Sequence, residues 1–441
     1  MRFRRSFNPS SPSGRTWRLL SAALAALAAC LSVCAGCGPA RPSGGGPHKI
    51  VLSFWNGFTG PDGQTMTRMV QLFEKENPDI GVNMQIIPWS TYYDKLTLSL
   101  AYGGAPDVFV LETARFPFYA YYKSLRPLDD FYAASKPPLA GKDFDPAVWR
   151  ESHYGGHIVA VPIDTYPIGL YYNTRLFEQA GIVDAHGRAR PPANLAEFLA
   201  DAQKLTIRPK DGGEPTQWGF AFTNQHTNWL TFAHQYGADI LTPDLKSAAM
   251  ASPQALQATE LMCDLIYKYH VAPKPEGVDP WLAFQQGKVA MVMEGIYMLS
   301  SLQETPGLQF SGAPAPQFGP KKGVWGGSHL LCEPAGLSEA RARAGWRLMR
   351  FLSDHDALWA TAGQVPVRLD ALDSPAFQKL SVQAQFARQL PYVIYDPQIP
   401  KCSALDQFVD PAIEAALLGL EPPAQAMRDA DRRIDQVLRR P

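Results

Sequence analysis

The chain has 441 residues, with 41 lysines and arginines against 41 aspartates and glutamates. A nucleic-acid partner requires a strongly basic face, so this charge balance argues against one. A chain of this length is too long for one hydrophobic core, and we expect it to fold as two lobes.

The first 36 residues have the parts of an export signal. Five arginines and no acidic residue precede an apolar run from Leu19 to Val33, and small residues follow it. The run is shorter than the roughly 20 residues that a membrane-spanning helix needs, so we predict a signal peptide over residues 1–36. Its removal leaves 36 basic residues against 41 acidic ones, a formal charge near −5.

Two cysteines near the end of this signal are candidates for lipidation. Cys30 ends the motif LAAC and Cys37 ends CAGC, and both motifs resemble the lipobox of bacterial lipoproteins. Residues 37–48 are rich in glycine, proline and serine and predict a flexible tether, whereas a start at Cys30 would expose an apolar segment. We therefore predict lipidation at Cys37, with Cys30 as the alternative. The protein would be exported and anchored to a membrane, in the periplasm or at the outer cell surface.

Three cysteines remain in the body of the chain, Cys263, Cys332 and Cys402. Their odd number and wide spacing give no disulfide framework. Either one pair is oxidised or all three are buried thiols.

The body begins with alternating strand and helix patterns. Apolar residues recur at three- and four-residue spacing from Met66 to Phe73, which predicts an amphipathic helix. Strands are predicted around this helix and a second one, over residues 50–55, 82–89 and 107–111. This order is typical of a parallel sheet with covering helices.

A glycine-rich polar loop, within FWNGFTGPDG at 54–63, joins the first strand to the first helix. Ligands of open parallel sheets bind beyond the carboxyl ends of the strands. This loop and the one that begins at Glu112 point to the same edge. Glycines let backbone N–H groups approach a ligand, and the helix N-terminus adds donors. The loop is either part of a ligand site or an ordinary connection.

Two later segments are predicted to cross between the lobes. Residues 156–173 form two apolar runs that a short polar break interrupts at 164–166, and residues 366–372 form the second crossover. The remaining helices are predicted through most of 173–302 and over 338–360, 404–420 and 424–439.

Five segments together carry a family resemblance. They are FWNGFTGPDG with the helix ending ENPDI, GGAPDVFVLE, VPIDTYPIGLYYNTRLFEQAGI, GKVAMVMEG and WGGSH. In this order they resemble the family 1 extracellular solute-binding proteins of ABC transporters, the group that includes the maltose-binding protein, over essentially all of residues 49–441. The resemblance implies an α/β, two-lobed periplasmic-binding-protein fold (type II, Venus-flytrap) with crossover hinge strands. Its lobes would be residues 49–164 with 318–366 and residues 165–313 with 370–441.

The resemblance also implies a binding function in which no reaction is catalysed. A monomeric binding protein would capture a mono- or oligosaccharide between its lobes, without cofactor or metal, and deliver it to a membrane permease driven by a separate ATPase. A glycerol-phosphate-type ligand and a secreted carbohydrate-active enzyme are the alternatives. The sequence contains no GxSxG, HExxH or P-loop motif, which argues against several enzyme classes.

A sugar is held by polar groups that pair with its hydroxyls and by flat rings against its C–H faces. The candidate ring platforms are Trp55, Phe58, Tyr166, Trp229, Tyr297 and Trp325. The candidate polar, backbone and cationic positions are Asn56, Gly57, Thr59, Asp62, Glu112, Arg115, Asp164, Thr165, Glu294, Gly327, Ser328, His329 and Arg368. For four of these residues the alternative to ligand binding is a structural role: Trp55 and Trp229 in the core, Glu294 on a helix surface, and Arg368 in an ion pair at the hinge.

The resemblance supports some of these residues as site residues and argues against one candidate ligand. Arg115 takes the place of a sugar-facing arginine of the maltose-binding protein, because the tripeptide ARF of this sequence matches DRF in that protein. Tyr297 takes the place of a tryptophan in the binding site of that protein. Two further tryptophans of that protein are replaced by Leu111 and Asp406, and a glutamate by Tyr166. These departures argue against maltodextrin but not against a sugar.

Overall fold

The computed structural model describes residues 50–440. The predicted signal peptide, the tether and both candidate lipidation cysteines lie outside the described residues. Within residues 50–440, no helix is both long and apolar enough to cross a membrane.

The strands of the described chain are β1 (Ile50–Asn56), β2 (Ile80–Ile86), β3 (Val108–Glu112), β4 (His153–Tyr154), β5 (His157–Ile158), β6 (Val161–Pro162), β7 (Tyr166–Asn173), β8 (Ala221–Phe222), β9 (Met291–Gly295), β10 (Phe310–Pro314), β11 (Val324–Gly327), β12 (His329–Cys332) and β13 (Val393–Ile394).

Its α-helices are α1 (Pro61–Glu76), α2 (Trp89–Tyr102), α3 (Phe116–Tyr121), α4 (Asp129–Ala134), α5 (Pro146–Glu151), α6 (Thr174–Gln179), α7 (Leu195–Leu205), α8 (Gln225–Tyr236), α9 (Pro253–Tyr267), α10 (Pro280–Gln285), α11 (Leu299–Gln303), α12 (Glu339–Asp354), α13 (Asp356–Trp359), α14 (Leu369–Leu372), α15 (Pro375–Gln378), α16 (Ser381–Ala387), α17 (Cys402–Leu418) and α18 (Pro423–Arg439). Short 3₁₀ turns occupy Gly141–Asp143, Ile296–Met298, Ala360–Ala362 and Leu390–Tyr392.

The first sheet has the strand order β2-β1-β3-β12-β6. Strand β1 pairs in parallel with β2 along its whole length and with β3 at its end, which confirms the predicted parallel arrangement of the first three strands. The sheet is nevertheless mixed, because β12 runs antiparallel to both β3 and β6. Strand β12 comes from much later in the chain, so local periodicity gives no sign of it.

Helix α1 covers this sheet as its sequence predicts. Met66, Met69, Val70 and Phe73 are all buried, because residues three and four apart share one helix face. The backbone N–H of Asn77 donates to the Phe73 carbonyl, so the helix ends where the sequence Asn-Pro predicts.

The second predicted strand ends earlier than expected, at Ile86 rather than residue 89. Helix α2 begins at Trp89 behind Pro88, and no side chain caps it. Proline cannot donate to a strand ladder, but its fixed φ suits the start of a helix. The aromatic residue after Pro88 therefore belongs to the helix and not to the strand.

The second sheet is built around β7, which is buried at all eight positions. Strand β9 pairs antiparallel with one edge of β7, and β10 and β11 pair with the other. Strands β8 and β13 complete the sheet at its two ends. Helix α8 packs on β11, and α17 packs on α8 and α18.

The chain passes between the sheets at two neighbouring points. Residues 163–165 join β6 of the first sheet to β7 of the second, and Ser328 alone separates β11 of the second sheet from β12 of the first. Strand β11 lies inside the segment 318–366 that was predicted for the first lobe, yet it pairs with β7. The pairing depends on close approach, because a Cβ on Gly327 would lie 2.3 Å from the Tyr166 ring.

The second predicted crossover, at residues 366–372, differs from its prediction. Val365 forms an isolated bridge with Thr165, so the extended contact comes just before the predicted segment. Residues 369–372 instead form the short helix α14.

The cysteines Cys263, Cys332 and Cys402 are free thiols. Burial raises the pKa of each thiol above its ordinary value. The structure therefore agrees with the alternative of three unpaired thiols.

Candidate functional site

A cavity of about 580 Å³ lies between the two sheets. Small-molecule pockets are typically about 300–1,000 Å³, so the cavity suits a ligand of that size. Its walls come from the loops after β1 and β3, the first turns of α2 and α8, one face of α17 from Cys402 to Asp410, and the ends of β7, β11 and β12. The residues used below from these walls are Gly57, Asp62, Trp89, Glu112, Arg115, Tyr166, His226, Thr227, Tyr297, Trp325, His329, Gln364, Asp396, Asp406 and Asp410.

The loop after β1 is held in shape by its own side chains. Asn56 Oδ1 accepts the backbone N–H of Phe58 at 3.1 Å. Asp62 Oδ1 accepts the N–H groups of Gly60 at 3.0 Å and Gly63 at 2.8 Å. Burial raises the pKa of Asp62, although the two N–H groups act in the opposite direction. The loop thus presents a fixed carboxylate to the cavity.

Trp89 forms an aromatic wall that the sequence analysis did not include. Its ring stacks on His329, with centroids 5.8 Å apart and planes at 11°, and on Tyr93 at 5.8 Å. A Cβ on Gly57 would lie 2.2 Å from this ring, so the loop glycine makes room for the tryptophan. Its place at the carboxyl end of the second predicted strand was the signal that could have identified it.

A buried pair of charged groups supports the base of the cavity. Asp164 is fully buried and accepts the backbone N–H of His329 at 2.9 Å and Trp359 Nε1 at 2.7 Å. His329 Nδ1 lies 2.8 Å from Asp164 Oδ2. Burial alone would lower the pKa of His329, but Asp164, Glu112 and Asp62 together raise it above its ordinary value. The imidazole is therefore favoured in its charged form.

Three further rings face the cavity from the second sheet. Tyr166 lies 4.7 Å from His329, 5.8 Å from Tyr297 and 6.1 Å from Trp325, measured between ring centroids. The Tyr297 hydroxyl donates to Glu294 Oε1 at 2.6 Å. Packing and hydrogen bonds therefore fix the orientations of these rings.

One wall of the cavity is acidic, and we call Asp396, Asp406 and Asp410 the acidic wall. Trp325 Nε1 donates to Asp396 at 3.2 Å, and His226 Nδ1 lies 2.5 Å from Asp410 Oδ1. Burial raises the pKa of Asp406 to about 6, although the charges of His226 and Arg115 act in the opposite direction. Within residues 50–440, no group of three metal-ligating side chains is arranged to hold a metal ion.

Two polar side chains line the cavity without any protein partner. Gln364 is 1% exposed, and neither its Oε1 nor its Nε2 makes a hydrogen bond to another described residue. Thr227 is 7% exposed, and its Oγ1 is likewise unpaired within residues 50–440. An unpaired buried polar group costs about 1–3 kcal/mol, and a ligand with hydroxyl groups would remove that cost.

The structure separates the candidate residues into two groups. Those that line the cavity are Gly57, Thr59, Asp62, Glu112, Arg115, Tyr166, Tyr297, Trp325 and His329. Those that lie outside its lining are Trp55, Asn56, Phe58, Asp164, Thr165, Trp229, Glu294, Gly327, Ser328 and Arg368.

Residues of the second group lie beside the crossing points, in the core or in an ion pair. Thr165 Oγ1 donates to the Gly327 carbonyl at 3.0 Å, beside the two crossing points. Trp229 is fully buried in the core, where its Nε1 donates to Thr259 at 2.8 Å. Arg368 forms an ion pair with Asp354 at 2.9 Å, which is the alternative role predicted for it.

Glu112 and Arg115 meet at Tyr93, which belongs to α2. The Tyr93 hydroxyl donates to Glu112 Oε2 at 2.9 Å, and the Arg115 guanidinium lies 5.1 Å from the centre of the Tyr93 ring. Tyr93 therefore positions both an acceptor and a cation at the first-sheet side of the cavity.

Comparisons with known proteins agree with this architecture. Residues 58–331 match the bacterial extracellular solute-binding proteins. The chain is 26% identical over 411 residues to a putative binding protein of Brucella abortus, covering 90% of this chain and 94% of that protein. It is 22% identical over 423 residues to the sn-glycerol-3-phosphate-binding periplasmic protein of Escherichia coli, covering 88% and 93%.

A solved structure shares the fold. An ABC substrate-binding protein of Listeria monocytogenes, in complex with cycloalternan, superposes with a TM-score of 0.77 at 21% identity. The match covers 88% of this chain and 99% of that one. This likeness confirms the predicted two-lobed α/β fold.

Proposed function

This chain belongs to the family of bacterial extracellular solute-binding proteins, and on that premise we propose that it captures a mono- or oligosaccharide for an ABC importer. The sugar would enter the cavity between the sheets and leave it unaltered, for delivery to a membrane permease driven by a separate ATPase. Several relatives with this fold were solved with sugars, such as the Listeria protein with cycloalternan.

The observation that carries the proposal is the mixture of ring faces and polar groups on one cavity. Trp89, Tyr166, Tyr297 and Trp325 supply flat apolar surfaces, while Gln364 supplies an unpaired donor and acceptor. A sugar presents C–H faces and a rim of hydroxyls, so it can satisfy both kinds of group at once.

The proposed mechanism is closure of two lobes on the ligand. The cavity takes walls from both sheets, and the chain crosses between them at adjacent points. A ligand that contacts both lobes binds the closed form better than the open form and shifts the population toward closure.

Charge separates the sugar proposal from the glycerol-phosphate alternative. The relative in Escherichia coli is named for sn-glycerol-3-phosphate. A phosphate needs converging cations, but the cavity has five carboxylates against Arg115 and two histidines, and both histidines lie against aspartates. We therefore favour an uncharged or cationic sugar over an anionic one.

The proposal includes export and anchoring. The predicted signal over residues 1–36 and the lipobox-like motif at Cys37, with Cys30 as the alternative, support a membrane-anchored lipoprotein at the periplasmic or outer face. The protein would act as a monomer beside its permease, and catalysis is not part of the proposed role.

A thermal-shift screen of neutral sugars, sugar phosphates, amino acids and peptides tests the proposal. A sugar at one hundred times its dissociation constant should add about 2.7 kcal/mol to the free energy of unfolding. Trp325→Ala should weaken binding at least tenfold, and Trp218→Ala, which changes a half-buried tryptophan outside the cavity, should not. Stabilisation by amino acids or peptides, with no response to any carbohydrate, would overturn the proposal.

A further inference from the structure

The lining of the cavity contains more acidic side chains than basic ones. Its lining contains the acidic wall together with Asp62 and Glu112, against one arginine and two histidines. The charge of His329 is matched by Asp164, which lies behind it. The remaining cations are therefore Arg115 and His226 for five carboxylates.

The acidic wall has few partners of its own. Asp396 accepts a hydrogen bond from Trp325 Nε1, and Asp410 contacts His226. Asp406 accepts no hydrogen bond from any residue between 50 and 440. Burial raises its pKa to about 6, while the charges of His226 and Arg115 lower it by more than Asp410 and Asp396 raise it. By number, the wall has three carboxylates, and His226 and Arg115 are the cations of the lining near Asp406.

A residue of the cavity lining also carries an unpaired polar atom. Thr227 directly follows His226 on α8 and lines the cavity, and its buried Oγ1 has no partner among the described residues. This hydroxyl is a second, independent indication that a ligand group completes this side of the cavity.

We propose that the ligand is an amino sugar, whose protonated amine binds to the acidic wall of Asp396, Asp406 and Asp410. The inference rests on the proposed sugar-binding function and specifies its substrate class. An ammonium group has three donors and no acceptor, so it matches carboxylates and the free acceptor of Thr227. Its hydrogen bonds to carboxylates are charge-assisted and stronger than those of a neutral hydroxyl.

Matched sugar triples test the inference by calorimetry at pH 7. Each triple has a free-amine, a hydroxyl and an N-acetyl form of one skeleton: glucosamine, glucose and N-acetylglucosamine, the galactose counterparts, and chitobiose with free amines, cellobiose and diacetylchitobiose. The free-amine form should bind at least tenfold more tightly than its hydroxyl counterpart, and the preference should fall as salt is added.

Two variants locate the effect. Asp406→Asn should reduce the preference for the amine at least fivefold, whereas Asp264→Asn, which removes a surface charge paired with Lys268, should leave it unchanged. Equal or tighter binding of the hydroxyl form would overturn the amino-sugar inference and leave the sugar function intact. Failure of every sugar in the series to bind would also overturn the amino-sugar inference, while the sugar function itself is decided by the thermal-shift screen above.

Discussion

The buried pair of Asp164 and His329 gives the sharpest test of how the cavity is supported. Asp164→Asn keeps the side-chain volume but removes the charge that faces three N–H groups, two of them from His329 and one from Trp359. Hydrogen bonds to a charged group contribute about 1.5–3 kcal/mol each, and breaking a buried charged pair costs about 3–5 kcal/mol. Because the asparagine oxygen can still accept one bond, we expect a loss of about 3 kcal/mol.

Urea unfolding followed by tryptophan fluorescence measures this loss, and an exposed pair provides the control. Asp129 and His157 have the same chemistry, but their side chains are 43% and 60% exposed, so Asp129→Asn should cost less than about 1 kcal/mol. The pKa of His329 is raised, so its charged form stabilises the fold below the ordinary histidine range, and this stabilisation is lost as pH rises through the raised pKa. The cost of Asp164→Asn should therefore be greater at pH 6 than at pH 9. Equal losses for both variants would refute the reasoning.

Two further predictions concern close packing and a buried acid. Gly57→Ala should displace Trp89 from its stack on His329 and lower ligand affinity at least tenfold in calorimetry, while Gly336→Ala, where a Cβ meets nothing within 4 Å, should bind as the wild type does. Burial raises the pKa of Glu333 to about 9, so the folded state holds a proton that the unfolded state releases, and the free energy of unfolding should fall as pH rises from 4.5 to 9. Glu333→Gln should flatten that slope and add about 3 kcal/mol at pH 7; an unchanged slope would contradict this origin.

The first half of the fold was predictable because its signals are local. The three parallel strands and α1 follow from periodicity within short windows. Because ligands of parallel sheets bind beyond the carboxyl ends of the strands, the loop after β1 is then a predicted part of the site. Trp89 could have been found by the same rule, since it follows the second strand. Periodicity does not tell which face of a strand or helix meets the cavity, and for that reason Trp55 and Trp229 were placed beside residues that line it.

The acidic wall could not be assembled from the sequence. His226 and Asp410 are 184 positions apart and meet only because α8 packs on α17. The sequence likewise does not predict which sheet contains β11. One residue separates it from β12, and only its pairing with the distant strands β7 and β13 assigns it to the second sheet.

The residues that directly follow the two crossing points line the cavity, so hinge and binding site adjoin each other. Tyr166 begins β7 directly after one passage, and His329 begins β12 directly after the other. A substitution here would alter the angle between the lobes and the grip on the solute together. Selection for a new solute could therefore act on these positions only at the expense of the opening motion, and specificity would have to diverge on the outer walls, such as the face of α17.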